Sequence, residues 1–192
     1  MLERDNATAA IEVGLANLLP LIVGEGLTED QRRSIADTPK RFLKALFEQT
    51  SGYHVDPEKI LERRFDQDFD EMIVVKDIDF TSLCEHHLLP FIGKATVGYI
   101  PHGQVVGLSK IPRLVDCYAQ RLQLQERMAV EVAAAMEKYL EPLSVGVILE
   151  AKHQCMSCRG VKKAGASMVT SVLRGRMKTD SSARAEFLRY MR

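Results

Sequence analysis

The stretch KATVGYIPHGQVVGLSKIPRLV, residues 94–115, contains the change of pattern that decides the fold class. Its first seven residues alternate in polarity and include types that favour strands. The turn residues PHGQ at 101–104 predict a hairpin, with QVVGLS at 104–109 as an antiparallel return strand. From Ser109, predicted as the N-cap, the apolar spacing becomes that of a helix. Strands followed by a long helix place the chain among α+β proteins.

The helix that follows Ser109 is predicted to run to about residue 140 with one apolar stripe. One slot of this stripe is polar, because Gln125 and Glu126 fill it. A carboxylate there costs free energy unless a partner satisfies it. The alternative is that Glu126 leans to the helix flank and is solvated. The stripe consists of Ile111, Leu114 or Val115, Tyr118, Leu122, Ala129, Val132 or Ala133, Met136 and Leu140.

The segments on either side extend the same pattern into a sheet flanked by helices. An N-terminal helical region, 1–64, precedes a domain at 65–192 with a mainly antiparallel sheet and long helices on one face. The polar stretch TEDQRRS separates the first two helices. The predicted helices are 6–23, 38–50 and 183–192, and the further strands lie within EMIVVKDIDF (71–80), SVGVILEAKHQC (144–155) and ASMVTSVLRG (166–175).

Composition indicates an ordinary globular protein, with 192 residues, 46% hydrophobic and 27% charged. No unbroken apolar run reaches the length of a membrane span, and the N-terminus lacks a signal-peptide profile. We therefore expect a cytoplasmic protein with reduced cysteines, no membrane and no nucleic acid. The net charge is zero, but residues 152–192 carry 10 Lys and Arg against 2 Asp and Glu. This basic end suits a phosphate-rich ligand or an acidic surface better than nucleic acid.

CEHH at 84–87 concentrates side chains that bind metals. If the segment forms a helical turn, Cys84 and His87 share a face while His86 points elsewhere. A thiolate and an imidazole together suit zinc. Two ligands are not enough for a tetrahedral ion, so the segment HQCMSCRG at 153–160 is the source of further candidates.

His153 and Cys155 continue the core-facing parity of the strand before them. If Cys155 and Cys158 both bind, the zinc site is closed and structural. If only one binds, three protein ligands leave a position for a water molecule that zinc activates. Parity favours Cys155 and leaves Cys158 as a small buried side chain. His86 and His153, each next to a ligand, are then placed as acid and base.

Phosphate has no backbone loop motif in this chain, so side chains must hold it. Ser109, Lys110 and Arg113 lie at the positive N-terminal end of the long helix. Arg159 is a further candidate, and the alternative for each cation is a solvated surface position. Lys162 and Lys163 are predicted to be solvated, and Cys117 to be a core residue.

These motifs, taken in order, resemble the GTP cyclohydrolase I family from residue 37 onward. The resemblance implies the tunnelling fold, in which subunits pair their sheets around a barrel and two pentameric rings stack into a decamer. Sites would then lie between subunits, with the segment around Lys40 and Arg41 serving a neighbour. The matching segments are DTPKRFLKA (37–45), SLCEHHLLPFIGKATVGYIP (82–101), VVGLSKIPRLV (105–115), QRLQLQERM (120–128) and HQCMSCRGV (153–161).

The resemblance also implies a reaction. The substrate would be GTP, whose C8 leaves as formate, and the product 7,8-dihydroneopterin triphosphate, the first step of pterin and tetrahydrofolate synthesis. Zn²⁺ would be held by Cys84, His87 and Cys155. The remaining roles implied are proton transfer by His86 and His153, sugar rearrangement by Ser109, guanine binding by Gln125 and Glu126, and triphosphate binding by Lys110, Arg113 and Arg159.

Two other functions remain open at this stage. A structural-zinc module with a basic nucleic-acid-binding end would need Cys158 as a fourth ligand. A catalytically silent family member is disfavoured by the intact CEHH, Glu126 and His153. The downstream pterin pathway and any regulatory protein are left open.

Overall fold

The computed structural model describes residues 2–24 and 26–190. The chain divides into two compact units, one with residues up to Glu48 and one that begins at Gln49. The predicted boundary between residues 64 and 65 lies inside the second unit. Each unit has its own helices, and the sheets belong to the second.

The first unit contains the helices α1 (Leu2–Val23), α2 (Glu29–Ile35) and most of α3 (Thr38–Gln49). The polar stretch between the two predicted helices is itself helical. Thr28 and Gln31 form a capping box, in which each side chain accepts a hydrogen bond from the other's backbone N–H.

Helix α1 is more apolar than the sequence analysis recognised. Its segment Asp5–Val23 has a mean hydropathy of 1.5, which is enough for a membrane span by length and composition alone. Asp5 and Glu12 interrupt this segment, so it contains no unbroken apolar run of that length. A soluble helix or a signal sequence meets the same criterion, so the observation assigns no location.

The second unit is built on a five-stranded sheet in the order β5-β2-β3-β6-β7. All neighbours are antiparallel except β2 and β5, which confirms the predicted α+β class. A separate pair, β1 and β4, is antiparallel. The elements are a 3₁₀ turn Ser51–His54, α4 (Pro57–Leu61), β1 (Arg64–Asp66), β2 (Ile73–Cys84), β3 (Pro90–Ile100), β4 (Gln104–Val106), α5 (Lys110–Ala119), β5 (Leu122–Gln123), α6 (Gln125–Leu140), β6 (Ser144–His153), α7 (Gln154–Ser157), β7 (Met168–Gly175), α8 (Arg176–Thr179) and α9 (Ser181–Arg189).

The predicted hairpin between β3 and the following strand is wrong. β4 pairs with β1, where Arg64 lies opposite Val106. A strand has only two edges, and those of β3 are already taken by β2 and β6. The backbone N–H of Val106 instead donates to the hydroxyl of Tyr99, at 3.2 Å.

The predicted long helix is two helices. α5 ends at Ala119 and α6 starts at Gln125, because Leu122 and Gln123 pair in parallel with the end of β2. Ser109 is the N-cap position of α5, as predicted, but it has helical backbone angles and its side chain makes no capping hydrogen bond. The apolar stripe itself is correct, since its members on both helices are buried or partly buried.

The sheet is covered on both faces. α5 and α6 pack on the face that carries Tyr99 and Leu149 and form the main core with it, as predicted. On the other face Gly98 and Gly146 lie opposite each other and leave room for the ring of Phe187 from α9. A Cβ on Gly146 would lie 2.5 Å from that ring. The two glycines therefore form a slot for the C-terminal helix.

Candidate active site and metal centre

The end of β2 positions two of the predicted ligands. The carbonyl of Cys84 accepts hydrogen bonds from the backbone N–H groups of His87 and Leu88, at 3.3 and 2.9 Å. Leu88 has φ of 52°, which closes this tight turn. As a result the Sγ of Cys84 lies 3.7 Å from the Nδ1 of His87. The prediction that these two side chains share a face is confirmed.

Cys155 completes a group of three. The strand β6 ends at His153, so Cys155 belongs to the short helix α7 rather than to the predicted strand. The ligand atoms of Cys84, His87 and Cys155 nevertheless all lie within 4.8 Å of one another. A tetrahedral zinc would hold a sulfur and a nitrogen roughly 3.6 Å apart, which matches the 3.7 Å between Cys84 and His87.

The chemistry of this donor set also fits a cation. Burial and the neighbouring Cys84 raise the pKa of Cys155, while Arg159 acts in the opposite direction. A divalent cation bound between the sulfurs would reverse this and favour both thiolates. Two sulfurs and one imidazole form a three-ligand site that suits zinc.

Cys158 does not join this group within the part of the chain that the structure describes. Its Sγ donates to the carbonyl of Gln154, at 2.9 Å, and the side chain is exposed. The prediction of a buried side chain is therefore wrong, because α7 ends there and turns the residue outward. Cys117, in contrast, is 2% exposed and belongs to the core as predicted.

His153 is held by contacts on two sides. Its ring stacks on Phe91, the residue opposite it on β3, with centroids 4.6 Å apart and planes 2° from parallel. Its Nε2 lies 2.8 Å from the Oε1 of Gln125. Burial lowers the pKa of His153, and the charge of Glu126 opposes this shift. The net shift favours the neutral imidazole, which is the form that can accept a proton.

His86 has a different environment. Its side chain is 63% exposed, and its Nε2 lies 3.7 Å from the Oε1 of Glu85. Glu85 forms an ion pair with Arg127, whose Nε donates to the Oε1 of Gln123, at 3.0 Å. Glu85 and Arg127 were not predicted as site residues, although they lie inside the segments CEHH (84–87) and QRLQLQERM (120–128).

Gln125 and Glu126 are the first two residues of α6 and point in different directions. Gln125 is 1% exposed and fills the polar slot in the apolar stripe. Glu126 is exposed, so the alternative of a solvated flank position is the one that the structure shows. The carboxylate is therefore free to meet a ligand.

The predicted phosphate-binding cations are available to a ligand. Lys110, Arg113 and Arg159 form no side-chain hydrogen bond or ion pair with any other described residue, and Arg113 and Arg159 are exposed. Ser109 and Lys110 lie at the positive end of the ten-residue helix α5. Arg159 follows α7 and lies close enough to Cys155 to influence its pKa.

The antiparallel sheet, its long helices on one face and the Cys-His-Cys group together define an enzyme with a candidate metal centre at the sheet's end. Residues 19–192 match the family described as GTP cyclohydrolase I. The chain belongs to the GTP cyclohydrolase I family, and it is a hydrolase with the tunnelling fold. The resemblance seen in the sequence is thereby confirmed.

Several curated relatives are similar over most of their length. GTP cyclohydrolase 1 of Chlorobaculum tepidum is 49% identical over 86% of this chain and 75% of its own. The enzyme of Brevibacillus brevis is 49% identical over 85% of this chain and 88% of its own. The enzyme of Methylococcus capsulatus is 48% identical over 86% of this chain and 89% of its own. The crystal structure of an archaeosine synthase QueF-Like in the apo form matches 54% of this chain and 93% of its own, with a TM-score of 0.46 and 21% identity.

Proposed function

We propose that the protein hydrolyses the imidazole ring of the guanine of GTP, releases C8 as formate and forms 7,8-dihydroneopterin triphosphate. The observation that carries this proposal is the group Cys84, His87 and Cys155, assembled within 4.8 Å in a chain of this family. Ring opening by water needs an activated nucleophile and proton transfer, and the site offers residues for both.

Cys84, His87 and Cys155 would hold Zn²⁺. When bound there, zinc supplies Lewis-acid chemistry that makes a water molecule nucleophilic near neutral pH. The closed four-ligand alternative has less support, because the exposed Cys158 donates to a carbonyl instead.

His153 and His86 are proposed to move protons, in different ways. Burial lowers the pKa of His153 and its ring stacks on Phe91, which suits a base that accepts a proton and returns it. His86 is exposed, and its Nε2 lies 3.7 Å from the Oε1 of Glu85. His86 is proposed to deliver a proton to the opening ring.

Guanine recognition is proposed for Glu126. Its exposed carboxylate can accept two hydrogen bonds, from N1–H and the 2-amino group of the base. Gln125 was predicted to bind the same edge, but both groups of its side chain are already hydrogen-bonded inside the protein. Support for direct contact with the base is therefore limited to Glu126, with Ser109 proposed to assist the later sugar rearrangement.

The triphosphate is assigned to Lys110, Arg113 and Arg159. Their side chains have no internal anionic partner among the described residues, and α5 adds the positive end of its dipole. Neutralising Lys110 or Arg113 by alanine should raise KM for GTP more than it lowers kcat. Lys162→Ala is the matched control, since that lysine is exposed and predicted to be solvated.

The active assembly is proposed to be a cytoplasmic decamer of two stacked pentamers, with 65–192 as the catalytic domain. Two sheet edges support this. β2 pairs with β5 at Leu83 and Cys84 only, and β7 has no partner strand on its outer side within the described residues. Open edges pair readily with another chain. Lys40 and Arg41 would serve a neighbour's site, and the product would feed pterin and tetrahydrofolate synthesis.

The test is incubation of the zinc-loaded protein with GTP, followed by ultraviolet absorption and formate analysis. We expect a pterin chromophore and stoichiometric formate, both lost in Cys84→Ser. Cys158→Ser is the matched cysteine control and should retain both. Absence of the chromophore and formate with the zinc-loaded wild type would refute the proposal.

A further inference from the structure

Gln125 is a polar side chain in an apolar place. It is 1% exposed and lies in the slot where the stripe of the two helices predicts an apolar residue. A buried amide without hydrogen-bond partners is costly to the folded state. Its hydrogen-bond partners therefore indicate what it does.

The amide nitrogen of Gln125 faces three oxygens. Nε2 lies 3.0 Å from the carbonyl oxygen of Leu149, 3.0 Å from that of Met168 and 3.2 Å from the Oγ1 of Thr170. Backbone carbonyls only accept hydrogen bonds, so the group that meets them must be the NH₂. This fixes the amide orientation, since the reverse would set Oε1 against two carbonyl oxygens.

The amide oxygen of Gln125 consequently faces His153, at 2.8 Å from its Nε2. An amide oxygen cannot donate, so Nε2 must carry the hydrogen. A neutral imidazole has one N–H, which leaves Nδ1 as its only basic nitrogen. A half-turn of the ring about Cβ–Cγ would put a carbon, Cε1, opposite this amide oxygen, so the hydrogen bond itself favours the observed ring orientation.

We propose that Gln125 is a positioning residue that holds His153 as the Nε2–H tautomer, with Nδ1 left as the ring nitrogen that Gln125 does not contact. This inference rests on the proposed function and assigns Gln125 a part in it without contact to the substrate.

The first test is a spectrum of the protein itself. Histidine-¹⁵N-labelled, zinc-loaded protein is measured at pH 8 by solid-state NMR, with His153 assigned by loss of its signals in His153→Ala. We expect a hydrogen on Nε2, a bare Nδ1, and an Nε2–H resonance that shifts upfield in Gln125→Met, where the acceptor is lost. An Nδ1–H tautomer in the wild type, or an unchanged resonance in Gln125→Met, overturns the proposal.

Gln123→Met is the matched control. Gln123 is 2% exposed, and Gln123→Met removes a buried amide just as Gln125→Met does. The hydrogen bonds of the Gln123 side chain, however, go to Glu131, Arg127 and the carbonyl of Tyr118 rather than to His153. Gln123→Met should leave the chemical shift of the Nε2–H resonance of His153 unchanged. If Gln125→Met does not fold, the wild-type tautomer still decides the question.

The second test separates positioning from substrate binding. If Gln125 acts through His153, Gln125→Met should lower kcat roughly 10–100-fold, with KM little changed. In a His153→Ala background the same change should cost nothing further. A raised KM, or an equal loss in both backgrounds, would indicate contact with substrate and overturn the inference.

The inference and the proposed function fail in different ways. An inactive zinc-loaded wild type refutes the function, while the tautomer is still read from the spectrum. An active enzyme with the Nδ1–H tautomer refutes the inference alone.

Discussion

Cys155 and Cys158 show how much the surroundings of a residue decide. They lie three positions apart in one short segment, and in the sequence they form a C-x-x-C pair typical of zinc sites. In the structure Cys155 faces Cys84 and His87, whereas Cys158 is exposed. The i, i+3 turn of CEHH could be predicted from spacing. The partner of Gln125 could not, because a residue 28 positions away supplies it.

Removal of the Cys158 thiol should leave the metal site intact. Cys158→Ala is expected to retain one zinc per chain, because its sulfur takes no part in the Cys-His-Cys group. Cys155→Ala should lose most of the metal, since two ligands hold zinc poorly. Atomic emission after gel filtration measures the zinc content of the two variants and checks both expectations. Zinc loss in Cys158→Ala would contradict the three-ligand assignment.

At the scale of elements, periodicity predicted helices and strands but not where they break. The apolar stripe continues across the gap between Ala119 and Gln125, so its period alone cannot distinguish one helix from two. The break depends on strand pairing with residues near Leu83, about 40 positions earlier in the chain. The wrong hairpin has the same origin, because turn chemistry does not reveal that both edges of β3 are occupied.

Arg121 stabilises this break. Its guanidinium donates to the carbonyls of Cys117 and Gly52, at 2.7 and 3.1 Å, and lies over the rings of Tyr53 and Tyr118. Arg121→Ala should lower the free energy of unfolding by about 2 kcal/mol, through lost hydrogen bonds and cation–π contacts. Arg121→Lys should recover only part of this, because an ammonium lacks the planar fork.

Urea unfolding followed by circular dichroism measures the effect of the Arg121 variants. Arg176→Ala, at an exposed site, is the control and should change stability little. Equal stabilities of Arg121→Ala and the wild type would show that the break is held by other contacts.

The glycine slot under α9 allows a second prediction for the elements. Gly146→Ala would place a Cβ 2.5 Å from the ring of Phe187 and 2.8 Å from the Sδ of Met177. Overpacking of this kind should destabilise the protein by about 1–3 kcal/mol. Gly165→Ala is the matched control, since nothing lies within 4 Å of its added Cβ. Thermal unfolding compares the two, and equal melting temperatures would show that α9 shifts without cost.

At the scale of the whole molecule, the metal centre joins distant parts of the chain. Cys84 ends β2 and Cys155 follows β6, and both strands flank β3. The α+β class and the faces of the sheet were predicted from local pattern, whereas the Cys-His-Cys set was implied by the family resemblance, since the residues alone left Cys158 open as a ligand. The docking of β4 on β1 and the position of α9 were not predicted, since both depend on which surfaces remain uncovered.

Metal removal should therefore weaken the whole fold. A chelator is expected to lower the melting temperature, and zinc at 100 times its Kd should restore about 2.7 kcal/mol. Calorimetry with and without zinc measures this. In Cys84→Ala the melting temperature should not respond to zinc, and a response equal to that of the wild type would place the stabilising site elsewhere.

The open strand edges also bear on handling the protein in the laboratory. In the proposed decamer, the edges of β2 and β7 that have no partner strand among the described residues would pair between subunits, and these edges are exposed during refolding. Pairing of two strand edges in a wrong register then competes with correct assembly, and this competition increases with protein concentration. Recovery of native protein after denaturation should consequently depend on how slowly the chains are brought together, rather than on the stability of the folded subunit.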